Sequence, residues 1–250
     1  NDVVLNGSAQ GVPAGMHALV VQGNLTMNSA GNAGRDFRTM RVSGLTTLGS
    51  GVSRINATES LSLQGGLANG AFNAELQAPT VELGGSVAST QSNISQNLTV
   101  DGNLDWLDNA SYQANFTTIG DNHTITVTGN IAIGNNVAMT FGPFTHLTPP
   151  SEGDSLTFFN QQGGGAISGT FASHSEAAVL PNFLGSADDA IFSYVGGTGN
   201  DVVTQFFGDT REVLLNGQSA ASGATVVELE ETGTTVQLTV TLSRPPSGNV

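Results

Sequence analysis

The chain has 250 residues, a formal net charge of −14 at pH 7 and only 10% charged residues. It contains neither lysine nor cysteine, so its surface repels nucleic acids and anionic membranes, and disulfides and thiolate metal sites are excluded. Divalent cations and neutral polysaccharides remain as partners. The sequence shows no apolar run near the roughly 18 residues of a membrane-spanning helix.

A short phrase recurs six times in the first half of the chain: an apolar residue, a glycine one or two places later, and another apolar residue. The central glycines stand at 23, 44, 65, 85, 102 and 129, in steps of 21, 21, 20, 17 and 27 residues. A period near 21 residues that is built from strands and turns predicts a coil that stacks on itself. The step of 17 predicts a short coil, and the step of 27 predicts an inserted loop at Asn109–Asp121 that contains Tyr112 and Phe116.

The strands between the glycines are short and alternating. In Leu61–Gln64 and Ile125–Thr128 the apolar side chains fall on one face, and the hydroxyl and amide side chains fall on the other. Glycine, asparagine and β-branched residues interrupt every stretch before it reaches the length of a stable helix. We therefore expect an all-β fold in which stacked turns hydrogen-bond to one another and enclose aligned Val, Leu and Ile.

The period and the strand–glycine–strand phrase resemble the right-handed parallel β-helices of bacterial adhesins and autotransporter passengers. The resemblance covers about residues 1–145, and we assign β-helix coils to residues 1–148. It implies an extracellular or cell-surface location in a bacterium, to which the absence of cysteine also conforms.

The sequence pattern changes from Pro149 onward. Three short motifs then follow in order: Gly153–Leu156, Gly169–Phe171 and Tyr194–Val203. They resemble the closing segment of β-helical modules in giant bacterial surface proteins. The resemblance implies that residues 149–207 finish and cap the helix, which would protect its open strand edge from aggregation.

Residues 196–204 also satisfy the calcium-binding nonapeptide pattern, in which glycine carbonyls and the carboxylate of Asp201 surround the ion. Such sites use consecutive turns, and the chain has one. A tight turn between the last two strands is the alternative interpretation.

An acidic turn and a strongly alternating strand follow in residues 224–244, ahead of a Leu-Ser-Arg-Pro turn. This pattern resembles the opening of a Calx-β or related immunoglobulin-like domain, so we expect an incomplete β-sandwich-like module at 208–250. The resemblance implies that Glu228, Glu230 and Glu231 take part in Ca²⁺ binding. The strands of a half sandwich would pair with strands beyond residue 250 or with those of another copy.

Polysaccharide lyases and hydrolases also occur among β-helices, and they need an acid and a base on one face. Strand alternation places Asp101 and Asp105 on one face, with Trp106 or Tyr112 as a platform for a sugar ring. Solvated turn residues are the competing interpretation.

Arg35, Arg38 and Arg41 would grip a carboxylate or pair with acidic neighbours. We expect no catalysis and predict a structural or adhesive segment of a large secreted protein that associates with other copies through strand edges. A polysaccharide-binding or polysaccharide-cleaving β-helix is the alternative.

Overall fold

The computed structural model describes residues 1–5, 18–28, 34–49, 54–69, 74–89, 97–114, 124–142, 148–207, 213–215, 218–219 and 240–242. The described part of the chain is nearly all-β. The only helical segment among the described residues is a 3₁₀ turn at Phe183–Gly185.

In the described part of the chain, fourteen strands precede the proline-rich joint that begins at Pro149. They are β1 Val3–Leu5, β2 Ala18–Val21, β3 Leu25–Met27, β4 Gly34–Val42, β5 Thr46–Leu48, β6 Arg54–Leu63, β7 Gly66–Asn69, β8 Ala74–Leu83, β9 Ser86–Ser89, β10 Leu98–Trp106, β11 Ser111–Ala114, β12 Ile125–Val127, β13 Ile131–Ile133 and β14 Ala138–Phe141. Seven more follow the joint: β15 Ser155–Gln161, β16 Ala178–Leu180, β17 Asp189–Gly196, β18 Asp201–Phe207, β19 Val213–Leu215, β20 Gln218–Ser219 and β21 Val240–Leu242.

The strands before the joint form two parallel ladders. One sheet has the order β1-β3-β5-β7-β9-β11-β14, and the other runs from β2 through β4, β6, β8, β10 and β12 to β15. Each strand pairs with a strand about one turn later in the chain, so the chain is a β-solenoid with a period of roughly 22 residues. The predicted all-β parallel coil is therefore confirmed, whereas its right-handed sense stays a prediction.

Each turn has three straight segments. The long strands β4, β6, β8 and β10 contain a register shift in the middle, which divides each of them in two. The two halves of β10 pair with two separate strands of the next turn, β12 and β13. The third segment of each turn belongs to the seven-stranded sheet.

Aligned apolar side chains fill the interior, because alternation points every second residue inward. One column consists of Leu19, Met40, Leu61, Val81, Leu104 and Ile131. A second consists of Val21, Val42, Leu63, Leu83, Trp106 and Ile133. All members of the second column are buried, so each turn covers the apolar side chains of the turn before it.

The six glycines of the repeated phrase lie at two different corners of the coil. A side chain at Gly44 would meet the backbone of Gly23, and one at Gly65 would meet that of Gly44. Gly102 instead stacks against Ala78, and Gly129 stacks against Gly102. The predicted short coil at the 17-residue step is wrong, because the step changes corner: Leu83 pairs with Trp106, 23 residues later.

Side-chain oxygens cap backbone amides at these corners. Asn24 Oδ1 accepts a hydrogen bond from Leu45 N at 2.9 Å, and Asn103 Oδ1 accepts one from Asn130 N at 2.9 Å. Asp108 Oδ1 accepts one from Asn135 N at 2.7 Å. Where the chain leaves a strand, the side chain of one turn thus satisfies an amide of the next.

The interval of 27 residues is a long turn, and the predicted loop at Asn109–Asp121 needs correction. Strand β11, at Ser111–Ala114, lies inside that range and pairs with β9 and β14. Tyr112 is therefore a strand residue. Phe116 lies outside the described residues.

The segment after the joint changes the direction of the ladder. Strand β15 pairs in parallel with β12, but its other edge pairs with β18 antiparallel, and β17 and β16 follow antiparallel. A bridge between Ala132 and Ser168 covers part of β13. The edge of β15 that faces away from β12, where the parallel ladder ends, is thus paired with β18 of the same chain.

The chain divides into two compact units, residues 1–207 and 208–250. In the second unit, the described strands β19, β20 and β21 form a small antiparallel sheet in the order β20-β19-β21. The Calx-β identity of this unit stays a prediction.

Candidate functional site

Asp101 and Asp105 lie on two different segments of the coil. A register shift separates Asp101 from Asn103 within β10, at Gly102, whose φ is +141°. Asp101 accepts hydrogen bonds from Gln77 Nε2 at 2.7 Å and from Thr128 Oγ1 at 3.0 Å. Its carboxylate therefore links side chains of three successive turns.

Asp105 lies beside a second acidic residue, Glu82, in the column of residues that alternates with the interior columns. Its partner in β8 is Glu82, and its partner in β13 is Ala132. Partial burial, and then the charge of Glu82, raise the pKa of Asp105 above its ordinary value. Asp101 and Asp105 thus interact with different neighbours, and nothing in their contacts joins them as an acid and base pair.

Trp106 and Tyr112 are interior residues, which corrects the prediction that they form a platform for sugars. Each is 2% exposed, and their ring centroids lie 5.6 Å apart. Phe159 packs against both rings, at 6.0 Å from Trp106 and 5.2 Å from Tyr112. Burial also raises the pKa of the Tyr112 hydroxyl. Solvent does not reach these rings, so they act as core.

Two of the three clustered arginines, Arg38 and Arg41, contact side chains of the next turn of the coil. Arg38 Nε donates to Glu59 Oε1 in an exposed ion pair. Arg41 donates to Gln64 Oε1 from Nε at 3.2 Å and from Nη2 at 3.1 Å. For Arg38, pairing with an acidic neighbour is thus observed.

Asp201 is buried at the start of β18, next to the turn that joins β17 and β18. Its Oδ1 accepts a hydrogen bond from Gln161 N at 2.8 Å, and its Oδ2 accepts from Thr198 N at 3.0 Å and from Thr198 Oγ1 at 3.3 Å. The carboxylate therefore holds the turn against β15. This arrangement supports the tight-turn interpretation of residues 196–204.

The described residues contain no group of three His, Asp or Glu side chains that could hold a metal ion. Glu228, Glu230 and Glu231 lie outside the described residues, and their calcium role stays a prediction.

We expect Asp201→Ala to lower the free energy of unfolding by about 1–3 kcal/mol, because the substitution leaves buried amides without an acceptor. The loss should be the same in CaCl₂ and in EDTA, since protein donors already occupy both carboxylate oxygens. Denaturant unfolding followed by circular dichroism in each buffer measures it. A loss several-fold larger in CaCl₂ would show instead that Asp201 binds the ion.

Beside Asp201, an open groove of about 680 Å³ lies between residues 160–166 and 198–200. Amide side chains, a threonine hydroxyl and the backbone of three consecutive glycines line it. No charged residue belongs to this lining, although the whole chain carries a net charge of −14. The groove is therefore a neutral polar surface.

Three amide side chains brace the floor of the groove. Gln161 is 1% exposed; its Oε1 accepts from Ile131 N at 2.8 Å, and its Nε2 donates to Gly165 O. Asn200 Nδ2 donates to Gly163 O from the other side, and Asn130 Oδ1 accepts from Gly165 N at 3.1 Å. The glycine loop is thus held from three directions.

Sequence reasoning missed this groove. Its signal was the run of three glycines after two glutamines, at Gln161–Gly165, which marks a loop whose backbone can approach another group closely. Nothing in the local sequence connects that run with Thr198 and Asn200.

Comparison with protein-family models, with curated proteins and with solved structures finds no match to this chain. In the described part of the chain, no helix combines the length and the apolar character of a membrane span.

Proposed function

We propose that the chain is a non-catalytic structural or adhesive segment of a large secreted bacterial surface protein, in which the solenoid serves as a rigid rod. The observation that carries the proposal is the ladder of parallel strands from β2 to β15, in which each turn hydrogen-bonds to the next. Aligned apolar columns run inside this ladder, and Asn and Asp side chains cap its corners. Extended stacking of this kind provides stiffness without disulfides.

The two ends of the ladder differ, and this difference supports a proposal for how copies associate. Beyond β15, the antiparallel strands β18, β17 and β16 continue the sheet. At the other end, β1 pairs only with β3 and β2 only with β4 among the described residues. We propose that the β1 and β2 end receives a strand from a second copy.

The terminal strands have the surface that such pairing requires. Neither β1 nor β2 contains a charged residue, and their outward side chains Val4 and Val20 are 56% and 62% exposed. Charged residues and proline are the usual protection of an edge strand against pairing. Burial of the two valines would add to the backbone hydrogen bonds of a shared sheet.

Electron microscopy and analytical ultracentrifugation of the full chain test this proposal. We expect end-to-end pairs or strings whose fraction rises with concentration, and at least a tenfold weaker association for Val20→Lys. Val195→Lys is the matched control, because Val195 is also 62% exposed but lies in β17, at the other end of the sheet from β2. A monomer at every concentration, or equal weakening by both substitutions, would overturn the proposal.

A further inference from the structure

We propose that the groove between residues 160–166 and 198–200 binds a neutral polysaccharide. This site is distinct from the open β1 and β2 end, and its function does not depend on self-association. The proposal follows from the chemistry of the lining, the rigidity of the floor and the size of the space.

The lining selects against other classes of ligand. An anion would find no cationic side chain in the groove and would meet a chain with a net charge of −14. A cation would compete with the amide donors that already occupy Gly163 O and Gly165 O. An apolar ligand would leave the amide group of Gln162 without hydrogen-bond partners.

A neutral chain of hydroxyl groups matches what remains. Side-chain amides both donate and accept hydrogen bonds, as does the Thr198 hydroxyl, and sugar hydroxyls have the same dual capacity. Gln162 is exposed at the rim, where its amide is available to a ligand. Thr198 is exposed there too; its hydroxyl donates to Asn200 and Asp201 within the turn and can accept a hydrogen bond from the ligand. The groove has a volume of about 680 Å³, and typical ligand pockets have volumes of about 300–1,000 Å³.

The floor of the groove is held in place before any ligand arrives. Gln161, which is almost fully buried, links β13 to the glycine loop, and Asn200 links the same loop to the turn before β18. Binding therefore costs little ordering of the loop, which favours affinity. At Gly164 the space is open, because an added Cβ would meet nothing within 4 Å, and the ligand has access there.

Affinity electrophoresis of the full chain tests the site, with dextran, galactomannan or xylan in the native gel and alginate as the anionic comparison. We expect at least one of the three neutral polysaccharides to retard the protein and alginate not to. The double substitution Gln162→Ala/Thr198→Ala, and separately Gly164→Leu, should raise the apparent Kd at least tenfold. Thr198→Ala also removes the hydrogen bonds that Thr198 Oγ1 donates to Asn200 and Asp201, so Gly164→Leu is the variant that leaves the braces of the loop intact.

The matched control is Gln113→Ala/Thr140→Ala, which removes the same two side-chain types from exposed positions in β11 and β14. It should leave the retardation unchanged. Absence of retardation in all three neutral gels would overturn the proposal, as would equal loss in the groove and control variants. Because the Val20→Lys variant keeps the groove, its retardation separates failure of this site from failure of self-association.

Discussion

Gly102→Ala is expected to be among the most destabilising single substitutions in the solenoid, with a loss of about 3 kcal/mol or more in the free energy of unfolding. Gly102 has φ +141°, a conformation that L-residues rarely adopt, and such strain costs about 1–3 kcal/mol. A Cβ at this position would also collide with the carbonyl oxygen of Ala78 in the turn before. The neighbouring turn would have to shift, which weakens the ladder between β8 and β10.

Thermal and urea unfolding followed by circular dichroism measure the effect. Gly164→Ala is the matched control, because Gly164 has open space and is not in the left-handed region. We expect that control to match the parent chain or to exceed its stability slightly, since alanine restricts the unfolded state. Equal unfolding midpoints for the two variants would contradict the proposed role of Gly102.

Trp106→Ala is expected to cost about 3–5 kcal/mol, the range of large-to-small changes at buried aromatic residues. Trp106 lies in an interior column and packs against Tyr112, Phe159 and Phe171. Its Nε1 has no hydrogen-bond partner among the described residues, so packing accounts for its placement. Removal of the indole would leave a cavity where the aliphatic interior of the coil meets the aromatic rings of Phe159 and Phe171 in the segment after Pro149.

Urea unfolding measures this loss, and Trp106→Phe serves as the conservative comparison, with less than half the effect expected. Trp106 is the sole tryptophan of the chain, so the parent protein supplies a second measurement. Its fluorescence should be blue-shifted and poorly quenched by acrylamide. Emission typical of exposed indole, together with a loss below about 1 kcal/mol, would show that the ring lies at the surface.

Phe171, Phe192 and Tyr194 form an aromatic cluster in the segment after Pro149, and the Tyr194 hydroxyl anchors it. The Tyr194 hydroxyl accepts a hydrogen bond from Phe171 N at 2.7 Å and donates one to His174 O at 2.6 Å. Burial raises the pKa of Tyr194 to about 12 and lowers that of His174, so both side chains are neutral at pH 7. The cluster therefore introduces no charge into the end of the core.

Much of the fold is a local property of the sequence and could be predicted. Alternation within Leu61–Gln64 determines which side chains point inward, and the steps of 21, 21 and 20 residues between the first four glycines approximate the length of a turn. Strict alternation also groups Trp106 with Leu104, so the interior placement of Trp106 was already indicated. The prediction of a sugar platform failed because it gave the chemistry of the ring more weight than its position in the strand.

The candidate site could not be predicted in the same way. Asp201 was singled out by a local motif, but its three hydrogen bonds reach Gln161 and Thr198, and the bond to Gln161 depends on the pairing of β15 with β18. The change of corner between Gly85 and Gly102 likewise cannot be seen in the repeated phrase, because each glycine stands between a leucine and a valine that lie two places away.

The sequence by itself determined the class of architecture and the approximate period, because strand alternation and turn formation depend on residues a few places apart. Only the tertiary structure decided which corner each glycine occupies, which end of the ladder is covered, and that Gly163 and Asn200 form one groove. These features depend on register between strands that are 20 to 40 residues apart in the chain. Register is set by the packing of whole turns, and no short stretch of sequence contains that information.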